Sequence, residues 1–114
     1  MKKKSILVVD DDEAIRLCLK DFFEYEGFLV TEAVDGYEAE RCIAQQQPDY
    51  LLLDIFMPEK DGIEMMLSLK KSEIYIVAMS GSPDYLDAAK KLGADATVQK
   101  PFDLLSLKKL ISDL

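Results

Sequence analysis

The chain has 114 residues, 22 acidic and 14 basic, for a formal charge of −8, and it contains no histidine. That length suits one domain, and an apolar share of 49% can supply a packed core where a disordered chain could not. The acidic balance argues against direct binding of nucleic acid, which rests on Lys and Arg neutralising phosphates. The missing histidine excludes His-ligated metal sites, Ser-His-Asp and Cys-His nucleophiles, and a phosphohistidine on this chain.

The amino terminus, Met1-Lys2-Lys3-Lys4-Ser5, precedes only Ile6-Leu7-Val8-Val9 before three aspartates. A secretory signal needs about 7–15 apolar residues and a membrane span about 20. Neither is present, so a cytoplasmic protein without a membrane segment is expected. Cys18 and Cys42 lie outside any CxxC pattern, which favours buried free thiols over a disulfide or zinc site.

In chain order, Ile6 to Val9 reads as a first strand. Ile15, Cys18, Leu19, Phe22 and Phe23 then share one face of an amphipathic helix that stops at Gly27. Leu29 to Ala33 is a second strand, and Asp35-Gly36 turns into a helix carrying Ala39, Cys42 and Ile43. After Pro48, the apolar run Tyr50 to Leu53 predicts a strand covered on both faces. A loop over 54–62 leads to a third helix with Ile63, Met66 and Leu67. Ile74 to Met79 is a fourth strand, followed by a helix with Tyr85, Ala88, Ala89 and Leu92 on one face. Ala96 to Gln99 is a short fifth strand, and the last helix presents Leu107, Leu110, Ile111 and Leu114. Five strand–helix repeats imply a parallel sheet with helices on both faces. A closed eight-stranded barrel needs about 250 residues, so an open doubly wound sheet remains.

In such sheets ligands bind beyond the carboxyl ends of the strands. Those ends carry Asp10 and Asp11, Asp54, Ser80 and Lys100. Singly each has an ordinary reading: a turn, loop filler, a surface lysine, and for Asp12 a helix N-cap. Jointly they form a pattern. Clustered carboxylates call for raised pKa values or a bound hard cation such as Mg²⁺. A hydroxyl and a lysine beside them suit an anion. Together these groups describe a phosphoryl-transfer site.

The segments Ile6-Leu7-Val8-Val9-Asp10-Asp11, Asp54-Ile55-Phe56-Met57-Pro58 with Asp61-Gly62, Ala78-Met79-Ser80-Gly81, Gly93-Ala94-Asp95 and Lys100-Pro101-Phe102 resemble the receiver domain of two-component response regulators. The likeness spans essentially the whole chain. It implies a flavodoxin-like five-stranded sheet in the order 2-1-3-4-5, with residues 1–114 as a single receiver domain and no output domain. Asp54 would accept a phosphoryl group from a phosphohistidine on a sensor histidine kinase or a histidine phosphotransfer protein. Asp11 and Asp54 would hold Mg²⁺ with the backbone carbonyl of Phe56, and Asp10 would act largely through a metal-bound water. Ser80 and Lys100 would bind the phosphoryl group, beside a cis Lys100–Pro101 bond. Such a chain is a phosphoacceptor that assists its own phosphorylation, not an enzyme with a separate substrate. Its first helix would meet the kinase, and the face of its fourth helix, fifth strand and fifth helix would meet a target protein or a second copy.

Two positions depart from the family pattern. Thr97 stands three residues before the lysine, where an aromatic switch residue is usual. Phe56, two residues after the acceptor, is bulky and apolar, which predicts a restricted attacking water and a longer-lived phosphate. The competing reading is a receiver-fold binding module that works without phosphorylation, and the complete acceptor, metal and lysine set argues against it. A haloacid-dehalogenase-type phosphatase would need a second Asp at the position of Phe56. A flavin carrier would need a first loop without Asp10-Asp11-Asp12.

Overall fold

Period-2 alternation along each strand places successive side chains on opposite faces of the sheet. Leu7, Val9, Leu51, Leu53, Ile76 and Ala78 belong to one buried cluster, and Ile6, Val8, Tyr50, Leu52, Val77 and Met79 to the other. A computed structural model describes residues 3–55, 62–69 and 72–114. Its elements are β1 (Ser5–Val9), α1 (Glu13–Tyr25), β2 (Leu29–Ala33), α2 (Gly36–Gln45), β3 (Tyr50–Asp54), α3 (Gly62–Ser68), β4 (Tyr75–Ser80), α4 (Pro83–Lys91), β5 (Ala96–Gln99) and α5 (Leu104–Ser112). Among the described residues the strands form one parallel sheet ordered β2-β1-β3-β4-β5, the flavodoxin-type architecture expected from sequence.

The helices divide by the cluster they complete. Leu19 and Phe23 of α1 join Leu107 and Ile111 of α5 on one face. Ala39 of α2, Met65 and Met66 of α3, and Leu86 and Ala89 of α4 cover the other. β3 lies at the centre and every one of its residues is buried, as its unbroken apolar run predicts. Chain direction across the sheet reverses between β1 and β3, opening the crevice in which doubly wound sheets bind ligands.

Local signals fix the helix ends. Asp12 accepts hydrogen bonds from the backbone N–H groups of Ala14 and Ile15, and Asp35, Ser82 and Asp103 cap α2, α4 and α5 in the same way. Gly27 (φ 97°) and Gly93 (φ 120°) take the left-handed conformation just beyond α1 and α4. At the amino-terminal end of the sheet, Phe22, Phe23, Phe28 and Tyr50 meet edge to face with centroids 5.1, 5.5 and 6.2 Å apart. The carboxyl ends are left to polar groups.

Three packing details differ from the sequence reading. On α4 the inward residues are Leu86 and Ala89, while Tyr85 and Leu92 are 46% and 36% exposed. Helical spacing is met by two neighbouring stripes, and the shorter one faces the sheet. On α3, Met65 and Met66 are buried whereas Leu67 is 48% exposed. Both cysteines are free, as expected, yet Cys18 is exposed and Cys42 half-buried. Cys18 sits one position off the Leu19–Phe23 stripe that meets the sheet.

Gly62 opens α3 where a tight turn was expected to end. A Cβ on Gly62 would overlap Ile55 Cα and stand 2.7 Å from the Asp54 carbonyl oxygen. Gly62→Ala is therefore expected to destabilise the fold by about 1–3 kcal/mol, the usual range for overpacking against rigid neighbours. Chemical denaturation reads this directly, and an unchanged midpoint would mean that α3 shifts freely.

Candidate functional site

Strand geometry delivers the acidic groups to one place. Asp10 follows the last residue of β1, Asp54 ends β3, and Val9 and Leu53 are register partners on adjacent strands. One carboxylate oxygen each from Asp10, Asp11 and Asp54 lie within 4.8 Å of one another. Asp10 is fully buried and Asp54 is 6% exposed, while Asp11 faces solvent. At an effective dielectric constant near 20, each charged pair at such spacing repels by about 3–4 kcal/mol.

Lys100 answers part of that charge. Its Nζ donates to Asp10 Oδ2 at 2.7 Å and lies 3.5 Å from Asp54 Oδ2. Burial works against its ammonium form, but the hydrogen bond it donates to Asp10 and the Asp10 and Asp54 charges outweigh it and hold the pKa above the usual lysine value. One ammonium facing three carboxylates leaves net negative charge at the crevice. An all-oxygen donor set of this kind suits a hard divalent cation.

Ser80 ends β4 and is buried. Its Oγ accepts the backbone N–H of Ser82 at 3.1 Å, and its carbonyl accepts the Lys100 N–H at 2.9 Å. The Lys100–Pro101 peptide bond is cis. Asp10, Asp11, Asp54, Ser80 and Lys100 thus share one end of the sheet, as their strand-end positions predict. Phe56, expected as a backbone ligand, lies outside the described residues. Thr97 is half-buried on β5 opposite Ala78.

Arg16 and Glu32 are absent from the sequence reading, yet Arg16 reaches this site and Glu32 pairs with it. Arg16 Nη1 donates to the Asp10 carbonyl oxygen at 2.7 Å, and Nε pairs with Glu32 Oε1 at 3.3 Å. A signal exists, since Arg16 is the one basic residue between Lys4 and Lys20, placed amid aspartates.

A parallel doubly wound sheet with this acidic crevice and strand-end lysine defines a class of signalling domain. The profile of the response regulator receiver domain matches residues 6–112, and the chain belongs to that family. It is 32% identical to sporulation initiation phosphotransferase F of Bacillus subtilis over 97% of this chain and 93% of that protein. It is 35% identical to the chemotaxis protein CheY of Halobacterium salinarum, over 97% of this chain and 96% of that protein. Its match to the response regulator MprA of Mycobacterium ulcerans is 39% identical and spans only 46% of that longer protein. Among solved structures, a CheY-like receiver domain protein from Methanospirillum hungatei superposes with a TM-score of 0.91 at 29% identity, covering 98% of this chain and 93% of that one. The chain is thus a receiver domain of two-component systems. No helix among the described residues is long and apolar enough to cross a membrane.

Proposed function

We propose that this chain is a phosphorelay receiver in which Asp54 accepts a phosphoryl group, with Mg²⁺ present, from a phosphohistidine on a sensor histidine kinase or a histidine phosphotransfer protein. The observation that carries the reading is the carboxylate triad within 4.8 Å, faced by Lys100. In the transfer, an Asp54 carboxylate oxygen attacks phosphorus, the P–N bond breaks, and the imidazole nitrogen keeps the electron pair. Asp11 and Asp54 would hold the cation with the Phe56 carbonyl, and Asp10, whose carboxylate already accepts from Lys100 and the Asp12 N–H, would act through water. The cation would supply charge neutralisation for the incoming phosphoryl oxygens. Lys100 would pair with those oxygens, and Ser80 would donate its hydroxyl to them.

An apolar groove of about 440 Å³ lies beside this crevice, lined by Ile15, Cys18 and Leu19 of α1 and by Pro101 and Phe102. Lys100 lines it too, so a helix seated there would bring its histidine close to Asp54. That geometry favours the phosphodonor as its occupant. The phosphorylated domain would then act on a target protein or a second copy through α4, β5 and α5, where Tyr85, Leu92 and Leu105 are exposed.

The test is incubation with acetyl phosphate and Mg²⁺. A base-labile phosphoryl group on the protein is expected, and EDTA should abolish its formation. A chain that gains no label, and shows no NMR shift change with beryllofluoride and Mg²⁺, would instead be a phosphorylation-independent binding module.

A further inference from the structure

We propose that Arg16 is a positioning residue for the cation site, acting through the Asp10–Asp11 peptide; this rests on the metal-binding reading above. The Asp10 carbonyl oxygen stands at the end of β1, past the last register pair with β3. An unpartnered carbonyl at such a position would be free to rotate, and Asp11 would rotate with it. Arg16 Nη1 removes that freedom by donating to the oxygen at 2.7 Å, while Glu32 holds Nε at 3.3 Å. The guanidinium is largely shielded, its side chain being 12% exposed, and Glu32 anchors it from β2.

The rest of Asp10 is fixed independently. Its N–H donates to the Ala33 carbonyl at 3.2 Å, and its carboxylate accepts from the Asp12 N–H and from Lys100. Arg16 therefore sets the one remaining polar atom, the carbonyl of the peptide that leads to Asp11. A planar fork suits this task, since two nitrogens address two acceptors from different segments of the chain at once. Lysine gathers its three donors on one nitrogen at the end of a flexible stem and lacks the fork's fixed spacing.

Charge and positioning predict opposite outcomes. Were Arg16 only a nearby positive charge, Arg16→Gln would strengthen Mg²⁺ binding and Arg16→Lys would leave it unchanged. As a positioning residue, Arg16 should lose Mg²⁺ affinity in both variants, by about 10-fold, as for other groups that orient metal ligands. Isothermal titration of Mg²⁺ into the wild type, Arg16→Lys, Arg16→Gln and Glu32→Gln measures this, with thermal unfolding run beside it. Glu32→Gln, which keeps an acceptor for Nε, should weaken binding by a smaller factor.

A purely structural role would lower the unfolding midpoint while leaving the affinity of the folded protein intact, and that result overturns the proposal. Equal or tighter binding by Arg16→Lys overturns it as well. Should Arg16→Gln fail to fold, the Lys and Glu32 variants still decide the question. Wild type that binds no Mg²⁺ would overturn the metal-site reading itself, a result distinct from any difference among variants.

Discussion

Asp54→Asn is expected to take up no phosphoryl group from acetyl phosphate or from a phosphohistidine protein, under conditions that label the wild type. The carboxamide offers no anionic oxygen to attack phosphorus. The geometry of the end of β3 should survive, because Asn keeps the shape and one acceptor oxygen. Folding stability is expected to hold, since removing one carboxylate from a triad within 4.8 Å relieves repulsion while Lys100 keeps its 2.7 Å bond to Asp10. Mg²⁺ affinity should fall with the lost charge. Intact-mass measurement of both proteins decides the matter. Label persisting on Asp54→Asn would assign the acceptor to another residue and overturn the proposed role.

Lys100→Ala is expected to slow phosphoryl uptake about 100-fold, the effect of deleting one preorganised donor from a charge-stabilising site. The same change should raise Mg²⁺ affinity, because the ammonium at 2.7 and 3.5 Å from Asp10 and Asp54 competes with a cation for the same carboxylates. The two cationic side chains at this crevice thus have opposite signatures: losing Lys100 tightens metal binding and losing Arg16 weakens it. Stopped-flow phosphorylation at saturating Mg²⁺ isolates the first effect, and wild-type rates in Lys100→Ala would remove the lysine from the mechanism. The pair also links stability to pH. A lysine pKa raised on folding contributes stability that is full below the unfolded lysine pKa and is lost as pH rises through the higher folded value. Lys100→Ala should therefore flatten the alkaline limb of the stability profile.

Much of this molecule is legible in its sequence because its strands carry two kinds of information at once. The run Tyr50 to Leu53 announces burial on both faces, and Asp54 directly after it announces the edge where burial stops. Asp12, Asp35, Ser82 and Asp103 are cap residues by type and are caps in the structure. The rotation of short helices is less legible. α3 and α4 carry apolar residues on more than one stripe, and only contact with the sheet selects Met65 over Leu67 and Leu86 over Tyr85. Cys18 misleads for a related reason, because apolar spacing includes it and packing does not. Arg16 stands out in the sequence only as a lone basic residue, because its partners are a backbone oxygen and a residue from β2, neither of which has a sequence signature. The closeness of Gly62 to the Asp54 carbonyl is likewise a property of the folded chain alone.

Asp10 is where four stretches of chain are tied into one knot. Its N–H reaches β2 at Ala33, its carbonyl reaches α1 at Arg16, and its two carboxylate oxygens reach the Asp12 N–H and Lys100. Drawing Lys100 toward a new anion on Asp54 would therefore untie one strand of a knot that also holds the first helix and an edge strand. News of phosphorylation would then travel toward the amino-terminal half of the domain as well as toward β5, along a route that needs no aromatic side chain at Thr97.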